Sequence, residues 1–165
     1  MITDLLLSEF DEEAKKTRAM LGRVPMKADF TPHAKSMPLG RLSAHVAELA
    51  GFGYTILTTP ELDFGKGSTA RVQFESPEQL VKAFDEGAAK VCEALKNTKE
   101  DAWTQSWKLS FQGKPIFAGS RFLAYRQMFV NHLVHHRAQL GVYLRLNDTP
   151  LPATYGPSAD DRMGF

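Results

Sequence analysis

The chain has 165 residues, of which 43% are hydrophobic and 24% are charged, a composition that suits one globular domain with a substantial core. Lysine and arginine number 20 against 19 aspartates and glutamates, so the chain lacks the basic excess that dedicated nucleic-acid binders show. The sequence also lacks an uncharged apolar run long enough for a transmembrane helix. We therefore expect a single domain over residues 1–165 that binds neither nucleic acid nor a membrane.

Targeting signals and disulfides are not indicated. The N-terminal segment MITDLLLSEFDEE carries acidic residues where a signal peptide carries basic ones. The single cysteine, Cys92, cannot form an internal disulfide, so nothing favours an oxidising compartment, and a cytoplasmic location is expected. Cys92 falls in a helical apolar pattern, which predicts a buried and unreactive thiol.

Three amphipathic helices are predicted in the first part of the chain. The first spans about residues 2–23 and is followed by a loop at 25–37 that contains two prolines. The second spans about 38–58, with Ser36 as a candidate N-cap and Pro38 in its first turn. After an irregular stretch at 59–75, the capping-box sequence Ser76-Pro77-Glu78-Gln79 begins a third helix that reaches about Asn97.

The apolar period then changes from helix to strand and back. Trp103, Trp107, Leu109 and Phe111 alternate with polar residues, which predicts one strand, and a turn at 112–114 leads to a short second strand at 116–117. Ser120 is expected to cap a long final helix that ends near residue 146, and the tail from residue 149 should lie along the surface or be partly frayed. These elements predict an all-α fold: a four-helix bundle with a small β-hairpin before the last helix.

Three of the five histidines, His45, His132 and His136, interrupt apolar stripes of the second and fourth helices. Because His132 and His136 are four residues apart, they lie on one helix face and are suited to chelating one metal ion. Neutral imidazoles suit zinc, nickel, copper and iron, and three protein ligands with an open position are typical of catalytic zinc sites. From spacing alone, hydrogen bonds inside a polar core patch explain the same histidines equally well.

A family resemblance adds to this pattern. The run NHLVHHRAQL at 131–140 resembles the H-x-x-x-H-R-x-Q signature of the DinB/YfiT-like family. The stretch KSMPLGRLSAHVAEL, which contains His45, resembles the family helix that brings the first histidine, and LRLNDTPLPATYGPSADD is similar to the ends of many members. The resemblance implies an up-down-down-up four-helix bundle, often dimeric, with a divalent metal held by His45, His132 and His136.

The resemblance implies that the protein is a metal-dependent enzyme, that it acts on a small-molecule substrate and that it forms a homodimer. Zinc and nickel are the first metals to expect. Characterised relatives include transferases that use bacillithiol, mycothiol or glutathione, so a low-molecular-weight thiol is a candidate cofactor and thiol-dependent S-transfer a candidate reaction. A metal-dependent hydrolase is one alternative, because some relatives have been proposed to be hydrolases. A non-catalytic dimeric binding or stress-response module is another.

Other polar residues have both functional and simpler interpretations. His135 is a competing ligand next to His136, but it should lie toward the edge of the stripe. Glu48 is a candidate base, although a solvated residue or an ion-pair partner is the simpler interpretation. Arg137 is a candidate for orienting an anionic substrate, with a surface salt bridge as the simpler alternative. No general base or other catalytic residue is identified from the sequence.

Four further residues are assigned to structure. His33 lies in a proline-containing loop and should be exposed to solvent. Trp103 and Trp107 are expected to pack in the core or in a dimer interface, and Tyr155 to lie in a surface turn.

Overall fold

Four helices make up most of the computed structural model, which describes residues 1–66 and 74–163. The first three helices are α1 (Ile2–Leu21), α2 (Leu39–Thr58) and α3 (Pro77–Asn97). The last helix, α4, begins as an α-helix at Arg121–Leu123, continues as a π-helix at Ala124–Val130 and returns to α-helix at Asn131–Leu146. The strands are β1 (Glu61–Asp63), β2 (Ser106–Phe111) and β3 (Lys114–Ser120).

Contacts between α1 and the other helices give part of the connectivity. Glu9 pairs with Arg126 and Glu13 pairs with Arg137, so positions along α1 and α4 increase together and the two helices run parallel. Contacts between α1 and α3 run the other way, and α3 is therefore antiparallel to α1. The pairs are Arg18 with Asp85 and Thr3 with Thr98.

The direction of α2 follows from its contacts with α4. His45, near the start of α2, contacts His132, whereas the carbonyl of Ile56, near its end, accepts a hydrogen bond from Arg121 at the start of α4. The helix α2 is thus antiparallel to α4. With α1 and α4 parallel to each other and α2 and α3 opposed to them, the bundle has the expected up-down-down-up connectivity.

The helix predictions hold to within a few residues, with one wrong cap. Ser76 caps α3, because its Oγ accepts the backbone amide of Gln79 at 3.3 Å. Ser36 does not cap α2: the N-cap residue is Pro38, and no side chain caps this end. The predicted stripe of α3 is buried, and its members are Leu80, Phe84, Ala88, Val91 and Leu95.

The β structure is larger than the predicted hairpin. The order in the sheet is β1-β2-β3, with β1 parallel to β2 and β2 antiparallel to β3. Trp103 lies in a 3-10 helix (Glu100–Thr104) and not in the strand. Phe111, the last apolar residue of the alternating pattern, is 50% exposed, because it ends β2 at the turn.

The thiol and the tail also differ in detail from expectation. Cys92 is half-buried and donates to Asp11; burial, reinforced by that carboxylate, raises the pKa of the thiol to about 11. The described part of the tail is tied to the bundle, since Arg145 pairs with Asp160, whose carboxylate also accepts the amide of Leu151. Within the described residues, none of the helices has the length and apolar character to span a membrane.

Candidate metal centre

The three histidines singled out from the sequence meet where α2 crosses α4. The Nε2 atom of His132 lies 3.3 Å from Nε2 of His45 and 2.8 Å from Nε2 of His136. One ligand atom from each residue lies within 4.8 Å of the other two. The i, i+4 spacing brings His132 and His136 to one face of α4, and α2 supplies His45 from the opposite wall.

Hydrogen bonds on α4 orient two of these rings. Nδ1 of His136 lies 2.7 Å from the carboxamide oxygen of Gln139, and Nδ1 of His132 lies 3.3 Å from the carbonyl oxygen of Met128. Both oxygens are acceptors, an arrangement that favours the proton on each Nδ1 and the lone pair on each Nε2. Met128 belongs to the π-helical segment of α4, a type of irregularity that is frequent at functional sites.

The surroundings keep the imidazoles neutral. All three rings are half-buried, and burial, followed by repulsion from His136 and His132, lowers the pKa of His45 to about 4. Burial also lowers the pKa of His132 and of His136. Since only a neutral imidazole binds a metal ion, the histidines are in the ligand form at neutral pH.

The residues fit a divalent metal ion. Metal–nitrogen distances of about 2.0–2.1 Å in a tetrahedral site place two ligand nitrogens roughly 3.3 Å apart. The separation between His45 and His132 matches this value, and the 2.8 Å between His132 and His136 is shorter by about half an ångström. Two lone pairs that face each other at this distance repel unless a metal ion or a shared proton lies between them. This donor set suits zinc, nickel, copper or iron.

Two other histidines lie outside the group. His135 is exposed, and although its ring centroid is 4.9 Å from that of His136, it does not join the cluster. His33 is exposed in its loop, as predicted, and its Nδ1 accepts the backbone amide of Lys35 at 3.1 Å. Glu48 is exposed on α2, which agrees with the simpler interpretation of a solvated residue or an ion-pair partner, and its candidacy as a base stays untested.

The simpler interpretation of Arg137, a surface salt bridge, is wrong. Arg137 is buried between α1 and α4, where its guanidinium lies 2.5 Å from the carboxylate of Glu13 and also donates to Thr17. Tyr155 reaches this pair from the tail: its hydroxyl donates to Glu13 and accepts from Arg137. With its donors engaged internally, Arg137 is not placed to bind a substrate.

The tryptophans belong to the core, as expected. Trp103 and Trp107 are 1% and 0% exposed. The indole N–H of Trp103 donates to the hydroxyl of Thr3 at 2.8 Å, which joins the 3-10 helix to α1.

Comparisons with known proteins agree with this architecture. No family model matches the chain, but the uncharacterised protein YrdA of Bacillus subtilis (strain 168) is 26% identical over 169 residues, covering 98% of this chain and 93% of YrdA. A DinB-like protein from Bacillus cereus ATCC 10987 superposes with a TM-score of 0.65 at 20% identity, covering 90% of this chain and 95% of that one. The DinB-like protein YjoA from Bacillus subtilis gives 0.66 at 18% identity, covering 91% and 97%. The chain has a DinB-like fold.

Sequence reasoning missed the groups that orient the histidines of this DinB-like bundle. Gln139 was visible as the last position of the H-x-x-x-H-R-x-Q pattern, and its i+3 spacing from His136 indicates that the two side chains can meet. The carbonyl of Met128 left no sequence signal, because its position depends on the π-helical segment.

Proposed function

We propose that this chain is a metal-dependent enzyme of the DinB-like family whose divalent metal is held by Nε2 of His45, His132 and His136. The convergence of three half-buried, neutral imidazoles on one point supports this proposal most directly. A divalent metal held there supplies a Lewis acid, which lowers the pKa of a coordinated thiol or water toward neutrality.

The ligand count favours a catalytic over a structural site. Among the described residues, the cluster contains three histidines and no cysteine or carboxylate as a fourth member. Structural zinc sites are closed by four protein ligands, whereas catalytic sites leave a position for substrate or solvent. The rings are half-buried, so each of them is partly exposed to solvent.

The reaction proposed first is the transfer of a low-molecular-weight thiol to a small electrophilic substrate. The resemblance of the 131–140 signature to a family with thiol-dependent transferases supports this class, and metal-dependent hydrolysis is the competing one. The same resemblance supports a homodimer, and the acidic N-terminal segment and the single cysteine support a cytoplasmic location. Chelation should abolish turnover, and consumption of the electrophile should depend on which thiol is supplied; consumption of an ester or amide without any thiol would favour the hydrolase.

The metal site is tested by single alanine substitutions in protein purified without a histidine tag. His45→Ala and His136→Ala should each weaken zinc or nickel binding by several kcal/mol, because each removes one of three ligands. His135→Ala should leave the affinity within about tenfold, or ~1.4 kcal/mol. The measurements are metal stoichiometry and affinity in competition with a chelating dye.

His33→Ala provides the matched control, since it removes an exposed histidine from a loop outside the cluster. Loss of metal in His135→Ala together with its retention in His136→Ala would show that the ligand set is wrong. Wild-type protein that binds neither metal in stoichiometric amount would refute the proposed function.

A further inference from the structure

Gln139 contacts one of the three histidines through the ring atom that points away from the cluster. Its carboxamide oxygen lies 2.7 Å from Nδ1 of His136, while Nε2 of the same ring faces His132. We propose that Gln139 is a positioning residue, which fixes the tautomer and ring orientation of His136 so that Nε2 is the metal-binding atom. This inference rests on the proposed metal site.

The chemistry of imidazole explains why such a residue is needed. A neutral ring carries one proton, and the hydrogen bond at one nitrogen decides which nitrogen keeps its lone pair. Binding through Nε2 requires the proton at Nδ1, and the oxygen of Gln139 accepts that proton. Acceptors of this kind behind metal-bound histidines orient the ring and raise its basicity.

The other ligand on α4 is held differently. Nδ1 of His132 faces the backbone carbonyl of Met128, at 3.3 Å. That acceptor belongs to the main chain, so a change of the Met128 side chain does not remove it. Its distance from Nδ1 of His132 is 0.6 Å longer than the distance between Gln139 and Nδ1 of His136. Gln139 is therefore the side chain through which the orientation of an α4 ligand can be changed without removing the ligand.

The expected effect of losing Gln139 follows from its surroundings. Loss of the acceptor behind a metal-bound histidine weakens metal binding by about 10- to 100-fold. Because Gln139 is exposed, water replaces part of the lost hydrogen bond, and we expect about tenfold, the lower end of that range.

The experiment compares Gln139→Leu, which cannot accept a hydrogen bond, with Gln139→Glu, which keeps an acceptor in the same place. Gln127→Leu is the matched control, since it makes the same change at another exposed position of α4. Zinc affinity is measured by competition. Leucine at 139 should weaken binding about tenfold, whereas glutamate at 139 and leucine at 127 should keep at least the wild-type affinity.

A second readout needs no metal. Long-range ¹H–¹⁵N correlation spectra of histidine-labelled, metal-free protein identify the protonated nitrogen of each ring. His136 should be protonated at Nδ1, and Gln139→Leu should convert it to a mixture of tautomers. His33 is an internal reference of the opposite kind, because its Nδ1 accepts the amide of Lys35 and its proton must lie on Nε2.

The two readouts separate this inference from the proposed function. If the wild type binds zinc but Gln139→Leu binds as tightly as Gln127→Leu, Gln139 does not position the ligand and the metal site stands. If the wild type binds no metal, the metal site is refuted, and the spectra still show whether Gln139 fixes the tautomer of His136. His136 protonated at Nε2 in the wild type would overturn the inference. Circular dichroism checks that each variant is folded, as expected for leucine on an exposed helix face.

Discussion

Replacing Arg137 with methionine removes the guanidinium from between α1 and α4 and leaves the Glu13 carboxylate behind. The side chains of this pair are 3% and 8% exposed, so water cannot take the place of the missing partner. Breaking a buried ion pair on one side destabilises a protein by about 3–5 kcal/mol. Because Tyr155 still donates to Glu13, and the ammonium of Lys16 lies 3.8 Å from its other carboxylate oxygen, we expect about 3 kcal/mol, the lower end of that range.

Urea denaturation measures this loss. With a slope of roughly 2 kcal/mol per molar for a small protein, the midpoint should fall by roughly 1.5 M. The control is Arg18→Met, which breaks the ion pair between Arg18 and Asp85. The side chains of this pair are 60% and 42% exposed, and exposed pairs contribute about 0–1 kcal/mol to the free energy of unfolding. If both variants lose the same amount of stability, the buried pair does not stabilise the fold as argued.

A double substitution separates the loss of the pair from the burial of a carboxylate that has lost its arginine. Arg137→Met combined with Glu13→Leu removes both charges, and an apolar replacement of a buried pair is often neutral or stabilising. The double variant should therefore be more stable than Arg137→Met alone. A double variant that is less stable would show that Glu13 stabilises the fold through its other contacts.

Two further predictions concern the helices. Burial and Asp11 raise the pKa of the Cys92 thiol to about 11. At pH 8 this thiol should therefore react with iodoacetamide on the order of 100-fold more slowly than an unperturbed thiol, and its rate should increase as the pH approaches 11. A rate like that of a free cysteine peptide would contradict the shift in pKa. Gly53→Ala should lower the melting temperature although alanine is the better helix former by ~1 kcal/mol, since a Cβ there would lie 2.5 Å from the Phe129 ring. Gly51→Ala, with nothing within 4 Å of the added carbon, should raise it, and equal shifts would refute the packing argument.

The features predicted from the sequence are those that local periodicity determines. The capping box at Ser76 marks the start of α3, and the four-residue spacing of His132 and His136 places both on one face of α4. The partner of these two, His45, was found from its place on an apolar stripe and from the family resemblance.

The features that the sequence did not reveal depend on contacts between distant segments. The strand β1 has three residues and pairs with β2, 47 positions further along the chain at Glu61 and Lys108, so its period is too short to detect. Arg137 lies about 140° around α4 from His132. From the sequence alone, this side of the helix was expected to face the solvent. The helix packs on α1 there, and that neighbour makes Arg137 a buried residue.

The three ligands of the candidate site are therefore held in two different ways. The spacing of His132 and His136 is set by one helix, whereas the distance to His45 depends on how closely α2 packs on α4. Toward the sheet, that packing is tight because Gly53 lets the ring of Phe129 approach α2. Beyond this contact, Arg121 at the start of α4 donates a hydrogen bond to the carbonyl of Thr59, the residue that follows α2. The positive charge of Arg121 there also complements the dipole at the C-terminal end of α2. Changes that separate α2 from α4 are thus expected to weaken metal binding and the stability of the fold together, whereas changes confined to the α1 face of α4 should affect stability first.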